Sequence, residues 1–270
     1  MSGSPPSLLR QKIMAKFNKS ILVVHAHPDD TEAFCAGTLK LLKDRGYKIT
    51  IATMTAGGLG GIGTDEAATI IRRTEEARKA AAVLDADFYC FGDRDGYLYD
   101  TPELRIATTN LIRKVGAGIV MTHLPTDYHS DHRVTCQIVE TAALVTTLPN
   151  VPCEEAPLDI TPLLYHTAPL GFADPLGGQV VPHFAMDITT AMETKMEMLS
   201  HHQSQIELMS IMHKIDNFFD EMKEYNLTLG KRAGCKYAEI LWQHLGGGFQ
   251  KDDLIQQELA DHIKPFSEDE

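Results

Sequence analysis

The sequence predicts an α/β protein, a Rossmann-like three-layer sandwich with a mostly parallel sheet and C-terminal elaborations. Two observations support this fold class. Short apolar runs alternate with longer helical patterns through the first half of the chain, and those runs are continuously apolar, as in strands covered on both faces. The chain has 270 residues, of which 43% are hydrophobic and 23% charged, which is typical of a globular protein.

The elements of the first half follow one another as strand and helix. Ile21–His25 (ILVVH) is β-branched and apolar, so it is predicted as a buried strand. The helical patterns have apolar residues on one side, and Pro102 stands at the first turn of one of them. In order after the first strand, we predict helix 31–45, strand 47–54, helix 66–84, strand 87–91, helix 102–115, strand 118–123 and helix 131–144.

The pattern changes after about Pro149. Residues 163–167 and 184–188 are predicted as strands on either side of a loop rich in Pro and Gly, and residues 189–224 as mostly helical, ending near Gly230. We divide the chain into an N-terminal extension (1–19), one α/β domain (20–248) and an acidic C-terminal tail (249–270).

Charge and composition exclude several classes of partner. The formal net charge of −12 argues against nucleic acid, because binding phosphates needs a basic surface. No apolar run approaches the roughly 20 residues that span a membrane. The N-terminus lacks the apolar stretch of a signal peptide, and the five cysteines form no CxxC pair. We therefore predict a cytoplasmic protein with free thiols and no membrane partner.

Histidines and aspartates follow two of the predicted strands. His27, Asp29 and Asp30 come after the first strand, and His129 and His132 come after the fourth. In an open parallel sheet, ligands bind at the carboxyl ends of the strands. His27, Asp30 and His132 would form a zinc site, leaving Asp29 uncoordinated as a general base. His129 would protonate a leaving group or stabilise an oxyanion, with Asp127 or Asp131 holding its ring protonated.

Each of these features also has another interpretation. A His-Pro-Asp-Asp sequence is often only a turn with a helix N-cap. Two histidines and a carboxylate also form the Fe(II) facial triad of oxygenases, so Fe²⁺ remains an alternative metal. A non-catalytic carbohydrate- or nucleotide-binding protein is a further alternative, although GGLGGIG at 57–63 lacks the GxGxxG spacing. We expect that loop to cover the substrate, and either Arg72 or Arg73 to reach the pocket.

The two His/Asp motifs resemble those of the PIG-L/LmbE-like family of zinc-dependent N-acetylglucosaminyl deacetylases. The leading A-H-P-D-D-E motif of that family stands here as 26–31 with Thr31 in the Glu position, and the second motif stands as 125–132. Weaker matches are Arg73 with Glu76, Asp95-Gly96, Asp187-Ile188-Thr189, His202-Gln203-Ser204-Gln205 and Tyr237-Ala238-Glu239. The resemblance spans residues 21–240.

The resemblance implies a Rossmann-like fold and a zinc hydrolase that removes the acetyl group of an N-acetylated amino sugar or its conjugate. It implies the same ligands and base as above, and His129 as the acid or oxyanion group. It suggests Arg73 and His202 as substrate contacts, with Asp127 and Asp131 as neighbours of the site. It also implies assembly into trimers or hexamers.

Overall fold

A computed structural model describes residues 15–267, which form one eight-stranded sheet in the order β3-β2-β1-β4-β5-β7-β6-β8. Strands β3, β2, β1, β4 and β5 are parallel, and β7, β6 and β8 extend the sheet in antiparallel fashion. The strands are β1 (Ser20–His25), β2 (Lys48–Thr55), β3 (Asp87–Asp93), β4 (Ile119–Thr122), β5 (Leu163–Thr167), β6 (Phe184–Asp187), β7 (Ala238–Gln243) and β8 (Ile263–Lys264).

Helices cover both faces of this sheet. They are α1 (Asp30–Phe34), α2 (Ala36–Asp44), α3 (Glu66–Val83), α4 (Pro102–Val115), α5 (Ser130–Leu144), α6 (Met192–Ser200), α7 (Gln203–His213), α8 (Phe218–Ala233) and α9 (Leu254–Glu258). Alternate residues of β1 enter two separate cores. Ile21 and Val23 pack with α2, α3 and α6, whereas Leu22 and Val24 pack with α4 and α5. The predicted three-layer sandwich is confirmed, and strands β1, β4 and β5 are buried along their whole length because helices cover both faces of the sheet there.

The C-terminal half differs from the prediction in detail. Strand β7 was not predicted, and the long helical segment is three helices that break near His202 and at residues 214–217. The stretch predicted as an acidic tail contains α9 and the edge strand β8, and its Leu254, Ile255 and Leu259 are buried in the core. Most of the predicted N-terminal extension, residues 1–14, lies outside the described residues.

The sheet has its topological switch point beside β1. The chain runs from β1 outward through β2 to β3, and then returns to place β4 on the other side of β1. A crevice forms where the connections leave a sheet in opposite directions, at the carboxyl ends of the strands. The loops after β1 and β4 therefore meet at one edge. Within residues 15–267, no helix is both long and apolar enough to cross a membrane.

Candidate active site

In the turn after β1, one carboxylate makes no hydrogen bond and the next one accepts a backbone N–H. Asp29 occupies the N-cap position of α1 with φ 97°, and its side chain makes no capping hydrogen bond. Asp30 instead folds back, and its Oδ2 accepts the backbone N–H of His27 at 2.8 Å. The capping interpretation of His-Pro-Asp-Asp therefore does not hold for the Asp29 side chain, which remains free for chemistry.

The loop after β4 presents two histidines in different settings. His129 is the N-cap of α5, and its ring Nδ1 accepts the backbone N–H of Asp131 at 3.2 Å. His132 lies within the helix and is buried, with its Nδ1 2.9 Å from Asp127 Oδ1. Asp127 Oδ1 also accepts the backbone N–H of His129 at 2.9 Å, so this carboxylate organises the whole loop.

The three predicted metal ligands converge at the switch point. Asp30 lies between the two histidines, with Oδ2 3.4 Å from His27 Nδ1 and Oδ1 3.3 Å from His132 Nε2. The rings of His27 and His132 are 5.3 Å apart between centroids. Asp127 orients His132 through the ring nitrogen opposite Asp30, which is the arrangement that positions a metal-ligating imidazole. This donor set suits a zinc ion.

The electrostatics separate Asp29 from Asp30. Burial raises the pKa of Asp29 to about 6, and Arg73 opposes that shift. Burial acts in the same direction on Asp30, but His132 and His123 hold the pKa of its carboxyl well below its ordinary value. Asp30 therefore remains an anionic carboxylate, whereas Asp29 is poised to exchange a proton near neutral pH.

The predicted protonation of His129 is wrong. Burial, together with the neighbouring His132, lowers the pKa of His129, and Asp131 offsets this only partly. Its Nδ1 faces the Asp131 backbone N–H rather than a carboxylate. The ring is accordingly neutral, and because Nδ1 accepts a hydrogen bond, the proton lies on Nε2. His129 is thus suited to donate a hydrogen bond rather than to act as a strong acid.

Two residues near the site were not assigned a role from the sequence. Asp95 Oδ1 lies 3.2 Å from His27 Nε2, beside Asp131 Oδ2 at 3.3 Å from the same atom. His123 stacks on His132 with ring centroids 3.8 Å apart, and its Nε2 accepts the backbone N–H of Ala26. Both residues follow parallel strands, β3 and β4, so their position in the sequence was the signal that could have found them.

Arg73 contacts main chain at the edge of the site. Its guanidinium donates to the carbonyl oxygens of Gly57 and Pro28 at 3.1 and 3.0 Å, and lies 3.7 Å from Asp29 Oδ1. A Cβ at Gly57 or Gly60 would come within 2.6 Å of this guanidinium, so only glycine fits at these two positions while Arg73 stays in place. Leu59 N also donates to Asp95, so the glycine-rich loop is fastened to the site.

His202 approaches the site from the break between α6 and α7. It is buried, with Nε2 3.4 Å from Glu32 Oε1. Although burial lowers its pKa, Glu32 and then Asp29 raise it above the ordinary value. His202 is therefore near Asp29, and its ring contacts Glu32 on helix α1 rather than His27, Asp30 or His132.

Comparisons with known proteins show that this chain is similar to deacetylases. Residues 22–143, which contain both His/Asp loops, match the family model described as PIG-L, GlcNAc-PI de-N-acetylase. The chain is 28% identical to diacetylchitobiose deacetylase of Thermococcus kodakarensis over 247 residues, 86% of each protein. It is 28% identical over 201 residues to the probable N-acetyl-alpha-D-glucosaminyl L-malate deacetylase 2 of Bacillus anthracis, covering 70% of this chain and 83% of that protein.

A solved structure extends the likeness to the fold. N,N'-diacetylchitobiose deacetylase from Pyrococcus horikoshii superposes with a TM-score of 0.73 and 23% identity, covering 96% of this chain and 94% of that one. The sequence matches include the strand–loop pairs that carry His27, Asp29, Asp30, His129 and His132. The chain is therefore similar in sequence and in fold to PIG-L/LmbE-like deacetylases, which are amidohydrolases.

Proposed function

We propose that the protein is a zinc-dependent deacetylase in which His27, Asp30 and His132 hold the metal and Asp29 is the general base. The observation that carries the proposal is the contrast between two adjacent carboxylates. Asp30 is bound between two histidines, whereas Asp29 is held free of hydrogen-bonded partners at the same edge. One carboxylate that ligates and one that exchanges protons are what metal-assisted amide hydrolysis requires.

The residues present fit a zinc ion. Two imidazoles and one carboxylate leave a coordination position open, as in catalytic zinc sites. When bound, zinc would polarise the acetyl carbonyl and make water acidic enough to attack near neutral pH. Fe²⁺ would use the same donors, so the identity of the metal is part of the proposal.

The remaining roles follow from position and protonation. Asp29 would take a proton from the attacking water and return it to the amine that leaves. His129 would donate its Nε2–H to the acetyl oxygen as negative charge develops there, a stabilisation worth about 10²–10³ in rate. Asp127 would orient the ring of His132, and the backbone N–H of Asp131 would orient the ring of His129. Arg73 would act on the substrate indirectly, through the carbonyl groups of Gly57 and Pro28 that it binds. His202 would likewise act indirectly, through Asp29.

The proposed substrate is an N-acetylated amino sugar or its conjugate. Relatives named as diacetylchitobiose and N-acetylglucosaminyl malate deacetylases share the N-acetylglucosamine group and differ in what is attached to it. Tyr128 packs against His129 and His132 and is exposed, so its aromatic face could pack against a sugar ring.

The test is acetate release from a panel of N-acetylated sugars that includes N-acetylglucosamine and diacetylchitobiose. Metal-stripped protein should be inactive and should regain activity with added Zn²⁺. Asp29→Asn should bind zinc normally and lose about 10²–10⁴ in kcat, the usual contribution of a general base. Activity that survives full metal removal would contradict the proposal, as would an Asp29→Asn enzyme of normal kcat.

A further inference from the structure

A second cluster of metal-ligating side chains lies outside the candidate active site. Cys136 and Glu140 stand one helical turn apart on α5, His166 is on β5, and His244 directly follows β7. Strands β5 and β7 pair antiparallel, which brings the two histidines together, and α5 packs over that face of the sheet. Cys136, Glu140 and His166 offer ligand atoms that all lie within 4.8 Å of one another.

The distances in this cluster are close to those between ligands of one ion. His166 Nε2 is 3.0 Å from His244 Nδ1 and 3.8 Å from Glu140 Oε1. Glu140 Oε1 is also 3.5 Å from His244 Nδ1 and 3.5 Å from Cys136 Sγ. Around a tetrahedral zinc with ligands at about 2.0–2.3 Å, donor atoms stand roughly 3.3–3.7 Å apart.

The hydrogen bond at His166 Nδ1, an atom 3.7 Å from Cys136 Sγ, sets the tautomer of this ring. His166 Nδ1 donates to the carbonyl oxygen of His123 at 2.8 Å, so Nε2 carries the lone pair that faces Glu140 and His244. A backbone acceptor on the other ring nitrogen is the usual support of a metal-ligating histidine. The cluster is also accessible, because the side chains of Glu140 and His244 are 27% and 21% exposed while Cys136 is buried.

We propose that Cys136, Glu140, His166 and His244 form a second metal site that takes a zinc-like divalent ion. A thiolate and two imidazoles favour zinc over Mg²⁺ or Ca²⁺, which take oxygen ligands. Binding would displace the thiol proton of Cys136 and leave the ring proton of His244 on Nε2, so it would release a proton to solvent. The site would fix the end of β5 and, through the His123 carbonyl, the strand end beside the active site.

Cobalt titration separates this site from the active site. The ligands proposed for the active site include no cysteine, so a thiolate-to-cobalt charge-transfer band in the near ultraviolet reports only the second cluster. Full-length metal-stripped protein titrated with Co²⁺ should show this band and bind two equivalents of metal. Cys136→Ser should abolish the band and retain one equivalent, whereas Cys153→Ser, a matched cysteine elsewhere in the fold, should leave both unchanged.

His244→Asn provides a second test at a side chain that is 21% exposed. It should lower the affinity for Co²⁺, measured from the band, at least about tenfold, which is the effect of losing a metal ligand or its supporting residue. Wild-type protein that folds and binds metal without the band would overturn the proposal. A full band in Cys136→Ser, or unchanged affinity in His244→Asn, would overturn it equally.

Discussion

Asp29 combines an unfavourable backbone conformation with a side chain free of hydrogen bonds. Its φ of 97° lies in the left-handed region, which costs a residue with a Cβ about 1–3 kcal/mol. The next residue bonds back to His27, and Arg73 binds the carbonyl of Pro28 just before it, so the turn is held from both sides. The strain thus directs the Asp29 carboxylate away from the helix N-terminus that it would otherwise cap.

This strain can be measured by comparing Asp29→Gly with Asp29→Ala, because both remove the carboxylate and only the alanine variant keeps a Cβ. We expect Asp29→Gly to be more stable to urea than Asp29→Ala by about 1–2 kcal/mol, since glycine tolerates the left-handed conformation. Both variants should be inactive, so the difference reports the backbone alone. Equal stability of the two would show that the turn relaxes and that no strain is stored at Asp29.

Arg73 is best tested by a substitution that keeps its charge. The guanidinium bridges the carbonyls of Gly57 and Pro28, and a lysine has no fork with which to reach both. Because the Pro28 carbonyl precedes Asp29, we expect Arg73→Lys to lower kcat about tenfold or more with little change in KM. A raised KM at normal kcat would instead place Arg73 on the substrate, as the sequence alone suggested.

At the scale of elements, one buried carboxylate joins three parts of the fold. Glu239 on β7 accepts the backbone N–H groups of Gly37 and Thr38 at the start of α2, and the Thr38 hydroxyl, at 2.7–2.9 Å. Lys195 on α6 donates to it at 2.8 Å and to the carbonyl of Ala33 at 2.7 Å. This network gives the Glu of the late Tyr-Ala-Glu sequence a structural role, and through Lys195 it reaches the helix that begins at Asp30.

We predict that Glu239→Ala lowers the free energy of unfolding by about 3–5 kcal/mol, because it leaves the Lys195 ammonium buried without a counter-charge. Lys195→Met should cost less, since Glu239 keeps three donors and the favourable end of a helix dipole. Lys223→Met, in an exposed pair with Asp220, is the control and should stay within about 0.5 kcal/mol. Urea unfolding measures all three, and a smaller loss for Glu239→Ala than for Lys195→Met would refute this ranking.

At the scale of the whole molecule, buried histidines make stability depend on pH. Burial lowers the pKa of His166 to about 4, and that of His123 to about 3. The unfolded chain takes up a proton on each below about pH 6.5, whereas the folded chain resists until pH falls further. The contribution of His166 is therefore complete above pH 6.5 and is lost as pH falls toward 4, roughly 3 kcal/mol in all.

His166→Asn should flatten this dependence, because an amide can still donate to the His123 carbonyl but does not titrate. The free energy of unfolding of both proteins, measured with a chelator present between pH 7 and 4, gives the comparison. We expect the wild-type curve to fall more steeply below pH 6.5. Parallel curves would mean that His166 takes up its proton equally in the folded and unfolded chains.

The sequence predicted the parallel half of the sheet well and the antiparallel half poorly. Strands β1 to β5 are apolar runs separated by periodic helices, so local pattern suffices to find them. In β7, Glu239 and Gln243 interrupt the apolar run, and their partners come from distant elements. The break near His202 has no Pro or Gly to mark it and depends on packing of α6 and α7 against α3.

The candidate site shows the same division. The grouping of His27, Asp30 and His132 could be predicted because each follows a strand that ends at the switch point. The neutral state of His129 could not, because it results from burial and from the backbone N–H of Asp131, which only the folded loop brings together. The fastening of the glycine-rich loop by Arg73 likewise depends on contacts between helix α3 and two separate turns.

In the proposed mechanism, His132 holds a catalytic metal while its neighbour His129 stabilises the reacting acetyl group. Zinc content and acetate release should be measured on the same preparations of His132→Ala and His129→Ala, with wild-type protein beside them. We predict that His132→Ala loses one equivalent of zinc and all activity, and that His129→Ala keeps its zinc while kcat falls about 10²–10³. A His129→Ala protein that loses zinc, or a His132→Ala protein that keeps it, would contradict this assignment.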